Sequence, residues 1–425
     1  MSTTTLKFKY LHKVDGSANN NKFYKMQENS DGTFTATYGR EGAKGAIETY
    51  SMSLWDKKLN EKLGPKKGYT DVTEHRTEET APVKTVVKNS AGTNIISKDK
   101  HVNDIISALQ SYANQQTATV YKAEAKGVTQ KQIDDAQKNI DNLSYSFKNH
   151  FGKSGWSINL FNAELTKLYI IIPRKMKNVA DYLITDKWTK KQIEDLIGQE
   201  QSNLDSMASQ VIQQAAQVAA DDDTTPAAVQ QTLLDILGLD MELVTDQKTL
   251  DMVKKKAEEH AKRVLRVFAV TNRATQKEFD VQVRNAKDKK TDMMWHGSRR
   301  ANWYFIIQQG LRIRPSGAVY SGSMFGDGIY FASECDKSMG YTDSGRWAGG
   351  RSTGSNRVYM ALYEVHLGKQ YCIKSSDSSL SAKKLETLGG YDSTWGQKGP
   401  NLYRNEYITY KSCQSTIKYL IEFQD

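Results

Sequence analysis

The pattern of apolar and polar positions changes character twice along the chain. Near the start it alternates. Lys7-Phe-Lys-Tyr-Leu11 and Thr33-Phe-Thr-Ala-Thr-Tyr38 put apolar groups on every second residue, the period of a half-buried strand. Asp15-Gly16 and Asp31-Gly32 separate these runs with turn chemistry. Leu54, Leu59 and Leu63 then mark one helix over Ser53 to Leu63, which Gly64-Pro65 stops. Residues 1–75 predict a small β-rich domain with one helix. Residues 76–100 are rich in Thr, Glu, Lys, Ser and Gly, and predict a linker.

From residue 101 the period becomes helical. Val102, Ile105, Ile106, Leu109 and Tyr112 form one amphipathic face. Thr129 with Gln132, and Thr189 with Gln192, have the spacing of capping boxes, in which side chain and backbone satisfy each other at a helix start. The helices they open carry Ile133, Ile140 and Leu143, and Ile193, Leu196, Ile197, Leu204, Met207 and Val211. Pro173 ends the apolar run before it, and 221–226 reads as an exposed connection. Residues 101–221 predict an all-α segment. Beyond 222 the pattern is mixed. Val264–Val270, Gly328–Ala332, Val358–His366, Glu406–Tyr410 and Ile417–Phe423 predict strands, and Asn302–Gln309 a short helix that Gly310 ends. The predicted class is α+β, with several domains in 425 residues.

Charge adds a partner class. The net charge of +10 suits a polyanion, and residues 1–70 hold twelve Lys or Arg against seven Asp or Glu. No apolar run approaches a membrane span, and Met1-Ser-Thr-Thr-Thr-Leu-Lys7 lacks the apolar core of a secretory signal, so an intracellular location is expected. Cys335, Cys372 and Cys413 lie far apart and form no paired motif, so no metal site or disulfide framework is expected. Neither Gly-x-Gly-x-x-Gly after a strand nor a Walker loop occurs, which removes the main support for hydride transfer on a dinucleotide fold and for a P-loop hydrolase.

Three motifs carry candidate chemistry: Met294-Trp-His-Gly-Ser298, Gly322-Ser-Met-Phe-Gly-Asp-Gly-Ile-Tyr-Phe-Ala332 and Asn405-Glu-Tyr407. Each has an ordinary structural reading by itself: a core histidine, a turn glycine, a solvated glutamate. Together they suggest one wall of a nucleotide pocket with a carboxylate from another strand, suited to chemistry on a glycosidic bond without a metal.

With Gly310-Leu-Arg-Ile313, Lys337-Ser338 and Tyr341, these motifs resemble the catalytic domain of the poly(ADP-ribose) polymerases over residues 222–425. Asn19-Asn-Asn-Lys-Phe-Tyr-Lys-Met26, Tyr38-Gly-Arg40 and Gly42-x-Lys-Gly45 make residues 1–75 similar to a WGR domain, with Tyr38 in place of the naming tryptophan. Residues 101–221, with Leu165-x-x-Leu-Tyr-Ile-Ile-Ile-Pro173, resemble that family's helical regulatory domain. The resemblance implies a mixed α/β catalytic domain with strongly twisted antiparallel sheets, beside an all-α regulatory bundle.

It also implies NAD as ADP-ribose donor, with nicotinamide as leaving group. By the same resemblance Glu406, His296, Tyr330 and Lys337 are the catalytic residues. Glu406 would hold the nicotinamide-ribose 2′-OH and support the oxocarbenium-like state. His296 would bond the adenosine ribose. Gly297 and Ser298 would read the carboxamide, and Tyr330 and Tyr341 would flank the nicotinamide ring. Asn302 and Arg312 would reach the adenosine and pyrophosphate. Phe331, Ala332 and Ser338 complete the implied NAD set, and Tyr38, Gly39, Arg40 and Lys44 the set for DNA or interdomain contact.

The implied partners are DNA with strand breaks, protein acceptors including the chain itself, and an accessory protein at the acceptor site. The implied location is nuclear in a eukaryotic host. The expected activity is polymer synthesis triggered by DNA breaks. Mono-ADP-ribosyl transfer, NAD hydrolysis and a catalytically silent DNA-end scaffold are the alternatives. Ser323 stands where many relatives carry an aromatic, and the segment from His366 to Glu406 is short.

Overall fold

Alternation near the N-terminus becomes a sheet of β1 (Phe8–Asp15), β2 (Asn20–Glu28), β3 (Thr33–Arg40) and β4 (Ala46–Ser51), followed by α1 (Trp55–Leu63) and the two-residue β5 (Thr70–Asp71). The strand order is β4-β3-β2-β1-β5, antiparallel throughout. One face is closed by α1, whose Trp55 packs edge-on against Phe34. The coordinates are a computed structural model that describes residues 6–75, 96–122, 124–221, 232–313, 324–343, 345, 356–399 and 402–425. Most of the predicted linker, nearly all of the 221–226 connection and Ser323 therefore lie outside the described residues.

The long helices are α2 (Lys100–Val120), α3 (Gln130–His150), α4 (Ile158–Ile171) and α5 (Lys190–Asp221). Thr129 and Gln132 form the reciprocal capping box at the start of α3. Thr189 and Gln192 exchange the same two bonds before α5. The chain divides into two compact units. One holds residues up to 75 and Thr117–Leu204; the other holds 96–116 and Asp205–Asp425. The helices between 100 and 221 are shared between these units and do not form a third.

In the first unit, α4 packs on β1 and on α3. Arg174 is buried there, paired with Glu200 and stacked over Tyr121 at 4.1 Å. In the second unit the apolar face of α2 is consumed entirely. Val102, Ile105, Ile106 and Leu109 are fully buried in one cluster with Phe268, Trp303 and Tyr304.

The second unit continues with α6 (Leu233–Ile236), β6 (Leu239–Leu243), α7 (Gln247–Ala257), β7 (Val264–Asn272), α8 (Arg273–Asn285), β8 (Thr291–Gly297) and α9 (Arg300–Gln309). Then come β9 (Ile329–Phe331), α10 (Cys335–Met339), β10 (Arg357–His366), β11 (Gln370–Ile373), α11 (Ala382–Gly389), β12 (Ser393–Gly396), β13 (Glu406–Thr409) and β14 (Ser415–Gln424). Two sheets result, β6-β7-β14-β10-β8 and β11-β12-β13-β9. They meet where Trp295 and Ala332 exchange backbone bonds of 2.8 and 3.0 Å. The expected antiparallel sheets are present with one exception: β11 pairs with β12 in parallel. The intervening helix α11 turns the chain round, so β12 re-enters in the same direction. No helix among the described residues is long and apolar enough to cross a membrane.

Candidate active site

β8 delivers the histidine motif. Met294 and Trp295 are buried on opposite faces of the strand, which anchors it on both sides. His296 follows, opposite Ala361 of β10. Its Nδ1 lies 3.0 Å from the carbonyl of Tyr330. A carbonyl only accepts, so Nδ1 carries the proton and Nε2 is left as an acceptor. The ring packs among Trp303, Phe331 and Tyr363, with centroids 5.8–6.4 Å away.

Burial in that aromatic setting lowers the His296 pKa to about 4, despite the Tyr330 bond, which raises it. Two consequences follow. The rate–pH profile should show no His296 step between pH ~5 and 8, because the ring stays neutral throughout. Stability should fall as pH drops from about 6.5 toward 4, because the unfolded chain binds that proton more readily in this window. Rate profiles and unfolding midpoints of the parent and His296→Gln check both; a step near pH 6.5 that disappears in the variant would refute the neutral assignment.

Gly297 ends β8 against α10. A Cβ there would lie 1.9 Å from the carbonyl oxygen of Ser338. Only a glycine permits this approach, and Ser338 itself is buried. Ser298 Oγ accepts from Asn302 Nδ2 at 3.1 Å, across the first turn of α9. Gly310 ends α9 at φ 70, as its position in the sequence predicts.

Tyr330 occupies the centre of β9, paired with Ile408 of β13. Its hydroxyl donates to Gly326 O at 2.8 Å and accepts from Phe325 N–H at 3.0 Å, which fixes the ring. Tyr341 follows α10, and burial pushes its hydroxyl up to about 12, with the charge of Glu406 adding to the shift. Both tyrosines therefore stay protonated at neutral pH and offer intact aromatic faces.

Glu406 opens β13 and is 3% exposed. Its Oε1 pairs with the ammonium of Lys337, which is also buried. Its Oε2 is buried without a hydrogen-bond partner among the described residues. A buried carboxylate oxygen left open is costly unless something donates to it, and a sugar hydroxyl has the right chemistry.

The structure thus brings His296, Gly297, Tyr330, Phe331, Ala332, Lys337, Ser338, Tyr341 and Glu406 together at the junction of β8, β9, α10 and β13, with Ser298 just before the adjoining α9 and Asn302 on it. Arg312 is engaged by Gln309 Oε1 and lies 5.5 Å over the Phe305 ring. In the first unit, Tyr38 stacks on Tyr24 and donates to Glu48, while Gly39 lies close against Gly45. Arg40 donates to the carbonyls of Asn19, Met176 and Lys177, and Lys44 is exposed.

Sequence reasoning missed Arg300, buried and held by Asp343 Oδ2 through its backbone N–H at 2.7 Å and its Nε at 3.2 Å. It also missed Arg404, paired with Glu334 and Asp336. The signal available for the second was the placement of acidic residues on both sides of Cys335, just before Lys337.

Two family models match: residues 245–425 match the poly(ADP-ribose) polymerase catalytic domain, and residues 8–76 the WGR domain. The chain is 33% identical over 161 residues to a poly(ADP-ribose) polymerase-like protein, 100L, of Invertebrate iridescent virus 6, covering 37% of this chain and 83% of the viral one. It is 34% identical over 163 residues to poly(ADP-ribose) polymerase 2 of Arabidopsis thaliana, covering 32% of this chain and 24% of that protein. It is 30% identical over 221 residues to poly(ADP-ribose) polymerase 1 of Gallus gallus, covering 43% and 21%.

Proposed function

Because this chain belongs to the poly(ADP-ribose) polymerase family and is an NAD-dependent ADP-ribosyltransferase, we propose that it extends ADP-ribose chains on proteins, itself included, when its WGR domain meets a DNA break. The observation that carries the reading is the buried Lys337–Glu406 pair with one carboxylate oxygen left open beside Tyr341. NAD supplies ADP-ribose, and its glycosidic bond to nicotinamide breaks.

Gly297, through its backbone N–H and C=O, and Ser298 orient the carboxamide. Tyr330 and Tyr341 flank the cationic ring, a stacking worth ~1 kcal/mol per face. As the bond lengthens, positive charge grows on the ribose. Glu406 is fixed in advance to stabilise that charge and to hold the 2′-OH through Oε2. In elongation the same carboxylate orients the incoming ribose hydroxyl. Lys337 supplies the counter-charge of Glu406 in its buried setting. His296 accepts through Nε2 from an adenosine-ribose hydroxyl. Asn302 and Arg312 reach the adenosine and pyrophosphate, and Phe331, Ala332 and Ser338 shape the wall.

For DNA, the reading assigns Tyr38, Gly39, Arg40 and Lys44 to the break or to the helical segment. The bonds of Arg40 to the Met176 and Lys177 carbonyls support the second of these. The helices of 101–221 act as the regulatory segment, and the burial of the α2 face against Phe268, Trp303 and Tyr304 supports its coupling to the second unit. DNA loosens them by population shift.

The test is incubation of the full chain with labelled NAD, with and without nicked DNA, followed by a denaturing gel. A high-mass smear that appears with DNA supports the proposal. A sharp band assigns mono-transfer, free ADP-ribose alone assigns hydrolysis, and no signal assigns a silent scaffold. A smear of equal strength without DNA removes the DNA switch.

A further inference from the structure

Arg404 lies two residues before Glu406, on the stretch leading into β13. Its guanidinium is forked between two carboxylates, with Nη1 2.6 Å from Glu334 and Nη2 2.7 Å from Asp336. Glu334 directly precedes α10, and Asp336 lies within it, directly before Lys337. The fork therefore joins the backbone beside Glu406 to the backbone beside Lys337, the two partners of the buried pair.

The strand ladder does not make this join. On the β12 side, pairing begins at Gly396 with Glu406; on the β9 side it begins only at Phe331 with Tyr407. Glu406 is thus the first residue of its strand and lacks ladder support on the side facing α10. Asn405 adds one anchor, its Oδ1 accepting the Lys398 N–H at 2.9 Å. The fork is backed in turn, since His260 Nε2 lies 3.2 Å from the other oxygen of Asp336 and Arg263 lies behind His260.

The side chains involved are 28–41% exposed, so the pairs add little to global stability. What a planar fork across two carboxylates supplies is direction. We propose that Arg404 is a positioning residue that aligns Glu406 against Lys337, and that it governs turnover and not NAD affinity. This rests on the reading of Glu406 given above.

The test is a mutant cycle on the full chain with nicked DNA present, reading nicotinamide release against NAD concentration. Arg404→Ala should lower kcat about tenfold, since small displacements of a reacting group are expensive in rate. Its KM for NAD should stay within about twofold and its unfolding midpoint within about 2 °C, as expected for losing exposed pairs. Glu334→Gln, which opens only one arm, should lie between parent and Arg404→Ala, and it carries the test if the alanine variant folds poorly. In a Glu406→Gln background, Arg404→Ala should have no further effect, because the group it aligns is gone. Multiplying effects in the double variant, or a change in KM alone, would overturn the proposal. So would an unchanged kcat in both single variants. If Glu406→Gln itself leaves the rate intact, the reading of Glu406 fails first, and the cycle separates the two failures.

Discussion

Glu406→Gln should abolish the polymer smear and lower nicotinamide release by ~10²–10³-fold, the usual cost of removing one preorganised electrostatic contact from a transition state. The amide has nearly the shape of the carboxylate, so the packing of β13 against β9 and β12 is retained. Three things are lost: the charge facing the developing cation, the acceptor at Oε2, and the partner of Lys337. The third complicates the test, because an ammonium left buried without its counter-ion destabilises a protein by ~3–5 kcal/mol. A drop in activity alone does not then separate lost chemistry from a weakened fold.

The double variant Lys337→Met with Glu406→Gln separates the effects. Removing both charges should restore the unfolding midpoint toward that of the parent, since replacing both partners of a buried pair by neutral groups is often near neutral. Activity should stay low. A single variant that still yields the parent smear would take Glu406 out of bond breaking altogether.

The elements best legible in the sequence were those whose local chemistry is self-sufficient. The capping boxes at Thr129 and Thr189 hold both ends of their bond within four residues, so spacing alone was enough. The α2 face was legible for the same reason, but not what it packs against. Its partners Phe268, Trp303 and Tyr304 lie more than 150 residues downstream.

β8 was missed as a strand, although it carries the most informative motif. Met294 and Trp295 are both buried, on opposite faces, so no alternation remains to be read. β11 and β12 are four residues each, too short for any period, and α11 sits in the segment from His366 to Glu406 noted as short. Among the site residues, Lys337 and Glu406 are 69 positions apart, and the ladder of β13 against β9 brings only their neighbouring stretches of chain close. Motif resemblance supplied the roles; for the fork of Arg404 the acidic pair around Cys335 was the one signal, and its distance of about 70 residues along the chain hid the pairing.

Gly297→Ala should be among the most damaging single-methyl changes in the second unit, and the reason is space and not backbone conformation. Gly310 and Gly326 hold positive φ angles, but Gly297 does not. What it lacks is room, since its Cβ would lie 1.9 Å from the Ser338 carbonyl oxygen and 2.8 Å from the carbon. Both are backbone atoms, so no flexible tip can swing aside, and β8 must part from α10. That movement would widen the gap in which the carboxamide is to be read, and would carry Lys337, one residue before Ser338, away from Glu406. A displacement of about 1 Å at such a site costs on the order of a hundredfold in rate.

The expected result is a large rise in KM for NAD together with a fall in kcat, and loss of nicotinamide binding by calorimetry. Gly198→Ala is the matched control. It adds the same methyl in the middle of α5, where nothing lies within 4 Å, and should be neutral or stabilising by up to ~1 kcal/mol. If Gly297→Ala titrates NAD like the parent, the β8–α10 gap is not where the carboxamide is held.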